Sequence, residues 1–154
     1  MPKKFYKVIA ENRKARFDYH ILETFQAGIM LSGSEVKSVR MGRVNLRDSF
    51  GKVEKAEVFL YNMHITPYEK SGVWVTDARR KRKLLLGKQE LRKIVGRVTE
   101  KGLTLVPLKI YFSGDWLKVD LAVCKAKKKF EKRAKLLKRY ADREVEKELG
   151  KREL

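Results

Sequence analysis

A chain of 154 residues that is 43% hydrophobic and carries a formal net charge of +19 is long enough for one core-bearing domain and an appendage, but not for two full domains. That charge exceeds what solubility requires and points to a polyanionic partner. No apolar run approaches the roughly 18 residues of a membrane span, the start lacks a secretory core, the single cysteine forbids an internal disulfide, and two distant histidines with one thiol make a poor metal set.

Along the chain, Asn12 is placed to cap a short basic turn through "RKARF", which leads into a long strand pattern in "YHILETFQAGIML". There Ile21, Phe25, Ile29 and Leu31 fall on one face at even spacings, while Leu22 and Met30 predict partial cover on the other. Gly28 is the expected bend or bulge. "SEVKSVRMG" predicts a short amphipathic helix with Ser34 as its cap, Val36 and Val39 on one side and Gly42 as its stop. "VNLRDSFGKVEKAEVFLYNMHITPY" predicts two or three strands that turn near Glu54, Lys55 and Ala56 and end at Pro67.

"EKSGVWVTDARRKRK" reads as a loop with an extended exit, and "KQELRKIVG" as a helix that turns Leu91, Ile94 and Val95 inward and ends at Gly96. "GLTLVPLKIYF" and "WLKVDLAVC" form the clearest hairpin: Val106, Leu108, Ile110 and Phe112 share one face, as do Leu117, Val119, Leu121 and Val123. Many short strands with two or three small helices predict a mainly β fold. The first expectation is a single antiparallel barrel of the oligonucleotide-binding (OB) type over residues 1–124; a two-layer α+β sheet is the alternative.

Residues 125–154 form a basic tail. They hold thirteen Lys/Arg against six Asp/Glu, a net +7, which leaves +12 on residues 1–124. Phe130, Ala134, Leu137, Ala141, Val145 and Leu149 make one narrow apolar stripe at helical spacing, too little surface to hold a helix alone. The tail is expected to be disordered when free and helical when bound.

Several chemical constellations fail on inspection. "GIMLSGSE" spaces its glycines like a phosphate loop but follows the second with Ser34 and Glu35 instead of Lys and Ser/Thr. His20 and His64 lie in strand patterns, Cys124 reads as a packing residue, and no nucleophile–base grouping or clustered carboxylate pair is visible. Basic groups, by contrast, recur: Arg13, Lys14 and Arg16, then Arg79 to Lys83, then Lys125 to Lys129. Interleaved with Phe17, Tyr19, Trp74, Trp116 and Phe130, they predict phosphate contacts accompanied by stacking surfaces, favouring nucleic acid over membrane.

The segments "ENRKARFDY", "AGIMLSGSEVKSVRMGRVNLRDSF", "EVFLYNMHITPY", "RKRKLLL", "EKGLTLVPLKIYF" and "KKKFEKR", in that order and spacing, resemble the SmpB family of SsrA-binding proteins. The resemblance implies a non-enzymatic, cofactor-free adaptor with an OB-like barrel. It implies that the barrel binds the tRNA-like domain of transfer-messenger RNA while the tail enters the decoding centre and empty messenger channel of a stalled ribosome, against small-subunit rRNA. Alanyl-tRNA synthetase and the tRNA-delivering elongation factor would be engaged indirectly, through the RNA. Asn12, Leu85 and Lys118 match family positions linked to RNA binding, with Asn12 and Lys118 as direct contacts and Leu85 shaping the surface; Arg13 and Lys14 accompany them. Lys128, Phe130, Lys132 and Arg133 match positions linked to the ribosomal step. Three segments depart from the family pattern: Gln26 replaces Glu in "EAG", Ala126 replaces Gly in "GKK", and "TDARR" replaces "HDP". A cytoplasmic monomer is expected. The competing reading is a ribosomal structural protein with its tail permanently in rRNA.

Overall fold

The computed structural model describes residues 6–68, 77–99 and 102–152. Among them the elements run β1 (Tyr6–Glu11), α1 (Arg13–Asp18), β2 (Tyr19–Ile29), α2 (Gly33–Arg40), β3 (Val44–Asn45), β4 (Phe50–Glu54), β5 (Glu57–Tyr61), β6 (His64–Ile65), β7 (Arg82–Leu85), α3 (Lys88–Val98), β8 (Leu103–Ser113), β9 (Trp116–Ala126) and α4 (Lys129–Arg152). The fold is mainly β with four helices, and its main sheet runs β1-β8-β4-β5-β7-β2-β9, with β9 pairing back onto β8. Every pairing is antiparallel, so β8, β4, β5, β7, β2 and β9 close a ring. β1 and β4 use different stretches of β8, at 109–113 and at Leu105.

The closing contact explains Gly51. It pairs with Leu105, and a Cβ built there would meet Leu105 Cβ at 2.9 Å, a distance side chains do not tolerate. Inside the ring Phe25, Ala27, Val58, Leu60, Leu84, Leu105, Ile110, Val119 and Leu121 pack together with Val39 of α2 and Ile94 of α3. Each full burial of such a side chain is worth about 1.5–3 kcal/mol.

A second, smaller cluster lies outside the ring, where Ala15 of α1 packs on Val106, Leu108, Ala122 and Cys124, with Tyr19 and Ile21 beside them. Two one-residue irregularities create it. Register shifts between Ile21 and Glu23 and between Pro107 and Lys109, and each shift flips the alternation that follows. Ile21 is therefore not on the face of Phe25, nor do Val106 and Leu108 share a side with Ile110 and Phe112, as unbroken alternation had predicted. The bulge also lies at Leu22 and not at Gly28, and Leu22 and Met30 are exposed.

Local chemistry fixes the helices. Asn12 caps α1 by accepting from the Ala15 amide at 3.2 Å, as expected. The cap of α2 is Ser32 and not Ser34: its hydroxyl accepts from the Glu35 amide while the Glu35 carboxylate accepts from the Ser32 amide, a capping box worth about 1 kcal/mol. Gly42, at φ 74°, stands just past the end of α2. α3 continues through Gly96 to Val98. The β4–β5 turn falls at Lys55 and Ala56, both at positive φ (50° and 60°), the twist a two-residue hairpin demands. β1, with no clear alternation, was not legible in the sequence.

Candidate nucleic-acid interface

Alternation along β7, β2 and β9 decides what faces outward. Phe25, Ala27, Leu84, Val119 and Leu121 are in the core, so Gln26, Gly28, Leu85, Lys118 and Asp120 stand on the outer face. Register brings them together: Gly28 pairs with Leu85 on one side and Lys118 on the other, and Gln26 pairs with Asp120. Three predicted positions, Gln26, Leu85 and Lys118, thus share one patch. Leu85 is 48% exposed, and Trp116 at the β8–β9 tip is 74% exposed. Both line a groove of about 450 Å³, with Gly28, Ile29, Leu31 and Lys118. A Cβ at position 28 would come within 3.3 Å of Leu85 Cβ, so the glycine leaves room for Leu85 to lie across β2.

A polar ladder continues from this patch. Gln26 Nε2 donates to the Tyr111 hydroxyl at 2.5 Å, and that hydroxyl donates to Asp120 Oδ1 at 2.9 Å. Lys109 Nζ lies 3.6 Å from Asp120 and donates to the Tyr6 hydroxyl at 2.6 Å. The hydrogen bond to Tyr6, reinforced by Asp120 against burial, holds Lys109 above its ordinary pKa. Burial, aided by Asp120 and opposed by Gln26, pushes the Tyr111 hydroxyl up. Lys109 therefore stays cationic and Tyr111 stays a neutral donor at physiological pH. Gln26 uses a donor that a carboxylate lacks, which suits glutamine at a position one hydroxyl away from Asp120.

Asn12 sits elsewhere and works inward. Its side chain is buried, donating from Nδ2 to the carbonyls of Leu46 (3.3 Å) and Pro107 (3.1 Å). Both amide hydrogens are committed inside the protein, so Asn12 positions α1 rather than offering a donor of its own. α1 in turn exposes Arg13 and Lys14, the latter 3.9 Å from Asp48. A groove of about 200 Å³ lined by Arg13, Arg16 and Lys109 joins α1 to the ladder.

The run from Arg79 to Lys83, read as a phosphate-contact group, is largely spent within the protein. Strand alternation sends Arg82 into the interior, where it is 1% exposed. There its Nε donates to Glu35 at 2.7 Å and its guanidinium also serves the carbonyls of Met63, Ala78 and Arg80. Arg80 also pairs with Glu35, Lys81 with Glu54 and Lys83 with Glu57, while Arg79 donates to Asn62. Burial pushes the Glu35 carboxyl up, but the bonds from Arg80, the Ser32 amide and Arg82 outweigh it and hold the group below its ordinary value.

At the tail root, the Lys127 amide donates to the Asp18 carbonyl at 2.8 Å, and Lys132 pairs with the Asp18 carboxylate at 3.2 Å. Lys135 and Arg139 lie 5.8 and 5.6 Å from the Phe17 ring centroid. Lys128 and Arg133 are exposed. Trp74 lies outside the described residues, as does the side chain of Phe130. Among the described residues no group of His, Cys, Asp and Glu is placed to hold a metal, and no helix is long and apolar enough to cross a membrane. Cys124 is buried, which pushes its thiol up to about 11.

A family model described as SmpB protein matches residues 9–151. The chain belongs to the SmpB family. It is 56% identical over 146 residues to the SsrA-binding protein of Carboxydothermus hydrogenoformans, covering 95% of this chain and 98% of that relative. It is 53% identical over 153 residues to the SsrA-binding protein of Geobacillus thermodenitrificans, covering 99% of each. Among solved structures, a chain from one named "tmRNA-SmpB: a journey to the center of the bacterial ribosome" matches with a TM-score of 0.65 and 55% identity, over 78% of this chain and 85% of that one. For an SmpB-family body, the sequence left Tyr6, Lys109, Tyr111 and Asp120 without a role; the outward parity of Lys109 and Tyr111 after the β8 bulge and of Asp120 on β9 is the signal for three of them, and Tyr6 on β1 had none.

Proposed function

We propose that the protein is an RNA-binding adaptor of trans-translation, which binds the tRNA-like domain of transfer-messenger RNA and brings it to stalled ribosomes. One observation carries this reading: Gln26, Leu85 and Lys118 converge on one outer strand face beside an exposed Trp116. The names of its relatives and of the similar solved structure support it. Cations hold phosphates and flat side chains hold bases or riboses, which needs no reaction and no cofactor. The ring of strands acts as an OB-type barrel over residues 1–124, working as a monomer in the cytoplasm. The tail, beyond the end of β9 at Ala126, is a second unit, disordered when free and helical on the ribosome. There Lys128, Phe130, Lys132 and Arg133 meet small-subunit rRNA, while alanyl-tRNA synthetase and the tRNA-delivering elongation factor are engaged through the RNA.

The test is equilibrium binding of the tRNA-like domain across a salt series. Lys118→Ala removes one phosphate partner and flattens the slope of log affinity on log salt by about 0.7–0.9. Leu85→Ala costs about 1 kcal/mol, part of the value of a fully buried leucine. Unchanged binding by both variants would refute the assignment of this face.

A further inference from the structure

On the far side of the β8–β9 tip from the Leu85 and Lys118 groove lies a second groove, of about 370 Å³, lined by Lys7, Ile9, Arg40, Phe112, Gly114 and Asp115. Phe112 and Asp115 line both grooves, so the two meet across the hairpin tip. We propose that the RNA crosses this tip, with Lys7 and Arg40 holding phosphates on the far side and Trp116 stacking on an unpaired base at the crossing. The proposal rests on the assignment of the Gln26, Leu85 and Lys118 face to RNA and extends it to residues that face does not contain.

Three observations carry it. Lys7 on β1 and Arg40 at the end of α2 come from separate elements, are both exposed, and form no ion pair among the described residues. The cations of the Arg79 to Lys83 run show the contrast, since four of them are paired with carboxylates. Arg40 also lies 5.7 Å from the Phe112 ring centroid, which stacks its guanidinium while leaving its donors available for a phosphate. Finally, Trp116 presents most of its ring to solvent at the apex, sharing its groove with Lys118 and Asp115 while Lys7 and Arg40 line the adjoining one, an arrangement that suits a base flanked by its own phosphates. RNA fits this set because phosphate spacing satisfies cations on both sides of a narrow ridge at once.

The experiment measures affinity of the full chain for the tRNA-like domain of transfer-messenger RNA over a salt series. Lys7→Gln with Arg40→Gln should flatten the slope of log affinity on log salt by about 1.5 and weaken binding about ten- to thirtyfold at 0.1 M salt. Trp116→Ala should weaken binding about five- to hundredfold with the slope unchanged, because stacking releases no counterions. Lys52→Gln with Lys55→Gln, an equal loss of charge on the β4–β5 hairpin, should leave the slope nearly unchanged. If Lys118→Ala and Leu85→Ala weaken binding but the Lys7 and Arg40 pair behaves like the Lys52 and Lys55 pair, the crossing is wrong and the outer face stands. If Lys118→Ala and Leu85→Ala are both silent, the outer face itself is wrong and the crossing falls with it. Thermal melting of each variant separates lost binding from lost fold.

Discussion

The strand ring and the α4 helix solve the same problem, a large excess of positive charge, in opposite ways. In the ring, cations that enter the structure are matched: Arg82 and Arg80 share Glu35, and Lys81 and Lys83 each have a glutamate. In α4, Leu137 and Val145 of the apolar stripe are mostly exposed, and past the root, where Lys132 meets Asp18, the one ion pair among the described residues is Lys147 with Glu144 at 3.7 Å. Ring residues are held by many partners at once; tail residues are held mainly at Phe17 and Asp18. Charge that is paired defines shape, and charge that is left over defines where a polyanion binds.

Breaking that contrast should give its largest effect at the buried pair. Glu35→Gln leaves Arg82 charged and uncompensated in the interior and should cost about 3–5 kcal/mol in denaturant unfolding, whereas Leu137→Ala in the tail should cost less than about 0.5 kcal/mol. A comparable loss at both sites would mean that the tail is part of the folded core.

Acid sharpens the same comparison. The folded pKa of Glu35 is depressed, so its contribution is fully present above the unfolded carboxylate pKa, about 4.3, and is lost as pH falls through the lower folded value. Intact protein should lose stability steeply below about pH 4.3, and Glu35→Gln should flatten that descent. An identical acid profile for the two proteins would show that Glu35 does not link folding to protons.

A smaller effect is expected on the outer face. Gln26→Ala removes a hydrogen bond to Tyr111 and should weaken RNA binding by about 0.5–1.5 kcal/mol, with melting almost unchanged because the residue is exposed. The smallest effect belongs to the β4–β5 turn, where neither residue favours positive φ. Lys55→Asn with Ala56→Gly should raise stability by about 1 kcal/mol in the same unfolding assay.

Much of this was legible in the sequence where one local rule acts alone. Asn12 as a cap, Gly42 past a helix end and the Leu117 to Val123 face follow from single-residue geometry or unbroken alternation. Legibility failed where tertiary packing overrode the local pattern. The bulges at Leu22 and Leu108 serve the docking of α1; no turn residue announces the first, and Pro107 beside the second was the signal that alternation alone passed over. Arg82 sat inside a run of cations, and only the strand parity of β7 and a carboxylate 47 residues away explain its burial. Lys7 and Arg40 gave no signal, because what joins them is the tip of a hairpin distant from both in sequence.

The most direct test compares intact protein with a chain truncated after Lys128, since β9 runs to Ala126 and the Lys127 amide bonds Asp18. Affinity for the tRNA-like domain and peptide tagging on stalled ribosomes are measured side by side. If the strand face holds the RNA and the tail acts on the ribosome, the truncated chain keeps its affinity within a few-fold and loses tagging. Tagging at the normal rate without the tail, or RNA binding lost with it, would contradict that division of labour.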